Sequence, residues 1–357
     1  MLPNRTAMLR ILAISVFAFV VPAAAVPITT DLGDGRTLIA DTYIVPFGFS
    51  ATGAPAVPPP SAYDGVAQLI VTSTLGGSFI GSSVLIADQW LLTAAHMLDT
   101  NVDGVQDVPA GNISVTFQVP SGTYVMGASA AIMNPAWIGF VAGNNLYGND
   151  IALIQLNGTA PAGAQRYGLY TGSGEVGPVA PIQDHAGYGN TGTSGNTGAI
   201  NGTYGTRRWG QNTYDGLNLF GPYFPGTPAN TQLNYDFDNG LAANDAAGVI
   251  FGINHLGLGF PNESLIAGGD SGGPAFINGL IAGIHSYGLT FSGQGAPDID
   301  GGTLNSSFGE FAGDTRVSQY VGWIQATTAT AVPEPATLSL LALSLCALRA
   351  RRRKRAA

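Results

Sequence analysis

Gly268-Gly269-Asp270-Ser271-Gly272-Gly273-Pro274 is the stretch on which the fold turns. Four glycines and a proline around two polar side chains suit neither a helix nor a strand interior. The stretch reads as a tight turn that presents the Ser271 hydroxyl, and its glycines let backbone approach a substrate closely. Upstream, Gly148-Asn149-Asp150-Ile151-Ala152-Leu153 places an aspartate directly before a buried strand. Further back, Leu91-Leu92-Thr93-Ala94-Ala95-His96 ends an apolar strand in a histidine, a position suited to a base projecting into a cleft. Acyl hydrolysis near neutral pH needs a nucleophile, a base, a group that fixes the base, and donors for the oxyanion. Candidates for all four are present.

Composition points the same way. The 357 residues include 51 Gly and 22 Pro, with 45% hydrophobic and 10% charged residues, too apolar for a disordered chain and too rich in Gly and Pro for a helical bundle. Short apolar runs at Val66–Thr72, Ser78–Ile86, Ile113–Val119 and Ile151–Leu156 alternate with Gly, Asn and Asp clusters, which predicts an antiparallel sandwich or barrel. Near the end, Val317, Tyr320, Val321 and Ile324 share one helical face, so a short terminal helix capped near Asp314 or Thr315 is expected. Cys346 is the only cysteine, which excludes an internal disulfide.

Both ends read as export signals. Arg5 and Arg10 precede an apolar run from Ile11 to Val21 and then Ala23-Ala24-Ala25, the pattern of a cleaved signal peptide over residues 1–25. Pro333-Glu334-Pro335 is followed by an apolar stretch to Leu348 and a tail with five Arg and Lys354, too short for an independent membrane span. Only five of the 13 basic residues lie between 26 and 335, with all 22 acidic ones, so that body carries a formal charge of −17. Such a body disfavours nucleic acid and anionic lipid and favours cations.

The three motifs, in the order His, Asp, Ser, resemble those of the chymotrypsin/trypsin-like serine peptidases. Gly187-Tyr188-Gly189-Asn190-Thr191 is similar to that family's Gly-Trp-Gly turn, and Gly283-Ile284-His285-Ser286-Tyr287-Gly288 to its wall strand. The resemblance covers about Tyr63 to Ala326. It implies an all-β fold of two antiparallel six-stranded Greek-key barrels with a short C-terminal helix. The expected organisation is a linker or pro-segment over 26–62, an N-terminal barrel over 63–165, and a C-terminal barrel with the helix over 166–327. The tail, 332–357, resembles the PEP-CTERM sorting signal of Gram-negative bacteria. That signal implies an exosortase-type processing partner, export to the periplasm, cell surface or extracellular matrix, and membrane attachment only through the tail before processing.

The resemblance further implies that Ser271 is the nucleophile, His96 the base and Asp150 its orienting acid, with the N–H groups of Gly269 and Ser271 as the oxyanion hole. Leu265, six residues before the nucleophile, would be the floor of the primary pocket. An apolar floor argues against cleavage after Lys or Arg. Ser286, Tyr287 and Gly288 would form a wall that binds peptide backbone as an added strand, and His285 stands where some glutamyl peptidases carry a histidine for a substrate carboxylate. His185 and His255 have no partner motif and read as structural or exposed. Asp270 usually pairs with a new N-terminal ammonium in this family. No Ile-Val-Gly-Gly segment stands at the expected distance before His96, which leaves processing within 44–63 or an internal donor for Asp270.

Beside the base, Asp99, Asn101, Asp103, the Val105 carbonyl and Asp107 have the alternating spacing of an EF-hand-type calcium loop, without the glutamate at the twelfth position, where Ala110 stands. No cofactor is required, and calcium would be a structural ion. A second acidic run, Asp236-Phe237-Asp238-Asn239-Gly240 with Asn244-Asp245, reads as turn chemistry or a metal site. The Gly- and Asn-rich stretch 192–240 is expected to overhang the cleft. The overall expectation is an exported serine endopeptidase acting on protein or peptide substrates. Its rivals are an idle protease-fold binding or matrix protein and an esterase.

Overall fold

The computed structural model describes residues 27–41, 56–140, 145–177, 179–258 and 262–330, so both expected targeting segments lie outside the described residues. Strands β1 (Ile28–Asp31) and β2 (Arg36–Asp41) form a hairpin, with Ile28 opposite Ala40 and Asp31 opposite Thr37. Gly33 and Gly35 adopt φ of 76° and 89° in its turn, a region closed to most side chains. These residues lie within the expected linker or pro-segment, yet Leu38 and Ala40 are fully buried.

Strands β3 (Val66–Thr72), β4 (Ser78–Ala87), β5 (Trp90–Thr93), β6 (Ile113–Val119), β7 (Gly122–Met133) and β8 (Ala152–Leu156) close into a barrel in the order β3-β4-β5-β8-β7-β6. In β6 the alternating Ile113, Val115, Phe117 and Val119 point inward, the period that a half-buried strand requires. Closure leaves no free edge, so the two loops that leave β5 and enter β8 start from fixed points.

The second lobe contains β9 (Ile182–Gly187), β10 (Thr191–Ser194), β11 (Gly198–Ile200), β12 (Arg208–Thr213), β13 (Gly216–Leu217), β14 (Gln232–Asp236), the short helix α1 (Ala246–Phe251), β15 (Pro274–Ile277), β16 (Leu280–Gly293) and β17 (Phe311–Arg316). Its main sheet runs β12-β9-β15-β16-β17-β14-β13, and β2 adds to β16, with Asp41 opposite Gly288 and Arg36 opposite Gly293. The lobe is therefore a curled nine-stranded half-barrel instead of a second closed barrel of six. The cause is the 14-residue length of β16, whose one edge takes β15 over Leu280–Ile284 and β2 over Gly288–Gly293.

The stretch 192–240 differs from the expected overhang. It supplies β12, β13 and β14 to the sheet and buries Phe220 and Phe224. The terminal helix also starts later than expected. Thr315 and Arg316 end β17, Val317–Gln319 form one 3-10 turn, and α2 spans Val321–Thr330. Thr315 is kept in the sheet by pairing with Gln232 and Ile284, while Val317, Tyr320 and Ile324 still face the core. No helix among the described residues is long and apolar enough to cross a membrane.

Candidate active site

His96 sits in a single 3-10 turn directly after β5 and is fully buried. Its Nδ1 lies 2.6 Å from Asp150 Oδ2, and its backbone N–H donates to Asp150 Oδ1 at 2.9 Å. Asp150 is aimed by the turn that precedes β8, where Tyr147 and Asn149 hold left-handed φ of 45° and 64°. Such backbone persists only where its surroundings enforce it. Here the Tyr147 ring stacks on Tyr287 at 5.5 Å, and Asn149 bridges Ala136 O and the Tyr320 hydroxyl. Asp150 Oδ2 also accepts the Ser286 hydroxyl at 2.5 Å, and Asp150 O accepts the Thr315 hydroxyl at 2.7 Å. The other imidazole nitrogen, His96 Nε2, is buried with no hydrogen-bond partner among the described residues.

The Ser271 turn is docked onto the first barrel. Ser82 of β4 donates its N–H to Ser271 O at 2.8 Å and its hydroxyl to Gly269 O at 2.8 Å, while accepting from Tyr188 N at 3.0 Å. Ser82 is thus a positioning residue that the motifs did not mark, because its partners lie more than 100 residues away in sequence. Gly272, with φ 78°, packs so close to the Thr93 hydroxyl, Ser82 O and Ala94 N that a Cβ would fall within 3.0 Å of each. The serine turn therefore lies against the residues that immediately precede His96. Among the described residues, neither Gly269 nor Ser271 spends its backbone N–H on a protein acceptor, as an oxyanion site requires.

Asp270 is turned away from the cleft. Its carboxylate accepts from Gly189 N at 2.8 Å and Ala267 N at 3.1 Å, and a Cβ on Gly187 or Gly189 would collide with it, which explains the Gly-Tyr-Gly turn. Burial pushes its pKa up to about 6 against the lowering effects of His285, those two N–H groups and Arg208. A cavity behind this turn is lined by Leu265, Ile266, His185, His285, Arg208 and Asp270. His285 is held there through Nδ1 by Asp314 at 2.8 Å, and Asp314 accepts the Tyr214 hydroxyl at 2.6 Å. His185 pairs with the Ser264 hydroxyl at 2.5 Å, and burial drives its pKa well below the usual histidine value.

Of the expected pocket residues, Leu265 and His285 come together at this cavity. Ser286 is turned onto Asp150. Tyr287 is buried with its hydroxyl between Asn234 and Gln232, and Gly288 pairs with Asp41 of β2. In the acidic loop beside His96, Asp99 accepts from Trp137 Nε1, Gly104 N and Asp103 N. Asp103 accepts from Asn101 and Val105 N, and Asp107 from Thr100. Among the described residues, the acids that converge with metal-like spacing are instead Asp236, Asp238 and Asp245.

A closed barrel carrying a buried His–Asp pair, docked on a half-barrel carrying a glycine-flanked serine, defines a two-lobed β hydrolase scaffold. Residues 59–213 match the family Trypsin, and residues 331–354 match the PEP-CTERM protein-sorting motif. The chain is 27% identical to "Serine protease SP24D" of Anopheles gambiae, over 71% of this chain and 72% of that protein. It is 25% identical to "Cationic trypsin-3" of Rattus norvegicus, over 72% of this chain and 83% of that protein. A solved collagenase structure ("HL collagenase") superposes with a TM-score of 0.51 at 19% identity, covering 78% of this chain and 98% of the other. Residues 59–213 are thus trypsin-like, the likenesses as a whole support a serine endopeptidase, and the chain carries a C-terminal PEP-CTERM sorting motif.

Proposed function

We propose that this is an exported endopeptidase in which Ser271 attacks the scissile carbonyl, His96 takes and returns the proton, and Asp150 fixes the imidazole and stabilises its cation. The observation that supports this reading best is the buried 2.6 Å His96–Asp150 contact with Nε2 left unpartnered beside the Ser271 turn. Because Nδ1 faces a carboxylate, the neutral ring carries its proton there and offers Nε2 as the acceptor that a base needs. Attack by Ser271 Oγ moves its proton to Nε2. The carbonyl becomes an oxyanion received by Gly269 N and Ser271 N, and the proton then passes to the leaving amine. Water repeats the sequence in reverse to release the acyl group.

The primary pocket, by this reading, has Leu265 and His285 at its base and takes an uncharged apolar or aromatic residue. The sorting tail directs the protein outward, with an exosortase-type enzyme processing it. The test is digestion of a diverse peptide mixture, read by mass spectrometry, with Ser271→Ala as the control. Serine-dependent cuts after apolar residues are expected, and cuts confined to Lys or Arg would overturn the pocket assignment.

A second reading, an idle protease-fold protein, is favoured by Asp270, whose carboxylate meets only backbone N–H donors among the described residues. A fluorophosphonate that labels wild type but not Ser271→Ala rules the idle reading out.

A further inference from the structure

We propose that Asp236, Asp238 and Asp245 hold a divalent cation, calcium by the chemistry of an all-oxygen donor set, at the base of the segment that leads to the nucleophile. This assignment is independent of the peptidase reading. Asp236 ends β14, Asp245 caps α1, and Asp238 lies in the loop between them. One carboxylate oxygen from each lies within 4.8 Å of the other two.

Two of the three have protein partners. Asp236 Oδ2 accepts from Ala247 N at 2.7 Å and Asp245 Oδ1 from Gly248 N at 2.6 Å. Asp238 has none. It is fully buried, and neither of its oxygens has a hydrogen-bond partner among the described residues. A buried carboxylate with bare oxygens is a costly group unless a cation meets it.

The surroundings deepen the imbalance. Asp215 donates no charge relief: its oxygens accept from Asp236 N at 2.9 Å and face His255 Nδ1 at 3.3 Å. Glu263 Oε2 accepts from Asp238 N at 2.8 Å and Oε1 from Leu258 N at 2.7 Å. Five acids thus crowd one region, and His255 is the basic side chain in contact with it among the described residues. A divalent ion supplies the missing charge at the point where the three aspartates converge. Carboxylate oxygens without His or Cys select a hard cation over zinc, and irregular geometry suits calcium better than magnesium.

The site is wired to the pocket. Asn212 Nδ2 donates to both Asp236 O, at 2.8 Å, and Ser264 O, at 3.1 Å, and Glu263 and Ser264 directly precede Leu265. A bound ion would therefore fix the start of the Leu265–Ser271 segment.

The test is calorimetric titration of chelator-stripped protein with calcium chloride, alongside melting curves with and without the ion. Wild type should bind one calcium and gain about 5 °C in melting temperature at saturation. Asp238→Asn, nearly the same shape, should lose at least about 100-fold in affinity and melt above wild type when both lack metal. Asp245→Ser keeps a capping oxygen but removes a ligand, and should lose at least about tenfold. Asp103→Asn, in the other acidic loop, should bind as wild type does. No binding up to about 10 mM calcium, unchanged affinity in Asp238→Asn, or loss confined to Asp103→Asn would each overturn the assignment.

Discussion

The two lobes solve the same problem by different means. The first is a closed ring of backbone hydrogen bonds, and His96 and Asp150 sit at the mouths of loops that begin and end on that ring. The second is an open half-barrel whose serine turn is held by side chains: Ser82 from across the cleft, Asp270 from within, and the Asp314–His285 pair behind. The difference teaches that rigidity in the first lobe follows from strand topology, whereas in the second it depends on individual polar groups. The second lobe should therefore be the one that single substitutions and pH disturb most.

The largest expected effect breaks both lobes' contribution at once. Ser271→Ala should lower kcat on a peptide substrate by about 10⁶-fold, and Asp150→Asn by about 10⁴-fold because the wrong tautomer is then favoured. Both should keep the wild-type melting curve to within a few degrees, and a variant that retains activity breaks the comparison at its base.

Next in size is the joint between the lobes. Arg207 is buried and reaches Asp64 at 2.5 Å, with further bonds to Gln118 O, Val57 O and Ser61. Arg207→Met leaves Asp64 buried without its cation and should cost about 3–5 kcal/mol in urea unfolding. A loss below about 1 kcal/mol would mean that the pair behaves as a surface bridge.

The third concerns pH. Burial raises Asp270 and Asp298, each to about 6, above their ordinary carboxylate range. The folded state therefore holds protons that the unfolded chain releases near pH 4, and stability must fall as pH rises through that interval. On the order of a few kcal/mol should be gained on moving metal-free protein from pH 7.5 to pH 5, read as a higher urea midpoint. A midpoint that rises with pH over this range contradicts the sign. The smallest effect is Ser82→Ala, which removes one clamp on the serine turn and should lower kcat/KM by about tenfold. The same substitution should leave the first barrel's amide-exchange protection intact, which sharpens the division between the lobes.

Legibility in the sequence followed the same division. β3 and β6 were readable to the residue, because their alternation is local and each has one hairpin partner near in sequence. The motifs around His96, Asp150 and Ser271 were readable because short-range chemistry fixes them. Ser82, the turning of Ser286 onto Asp150, and the burial of Tyr287 depend on contacts across more than 50 residues, and no periodicity carries them. Thr315 and Arg316 were expected at the start of the terminal helix, yet the sheet took them, since pairing with β14 and β16 outweighs a weak local preference. The acidic loops show the converse. The spacing favoured Asp99–Asp107, but folding supplies donors to most of that loop and leaves a single oxygen, Asp107 Oδ1, bare there, whereas both oxygens of Asp238 are bare.

The hairpin on β16 has a consequence for any maturation cut between Asp41 and Ala56. Six residue pairs and the buried Leu38 and Ala40 tie β2 to the sheet, and on the far side of such a cut Ala56 bridges Arg208. Cysteine chemistry cannot retain the severed piece, since Cys346 stands alone. Strand addition can. A nicked molecule would thus be a two-chain complex, whose small subunit exchanges with added peptide and whose loss would bare the Leu289 and Phe291 edge.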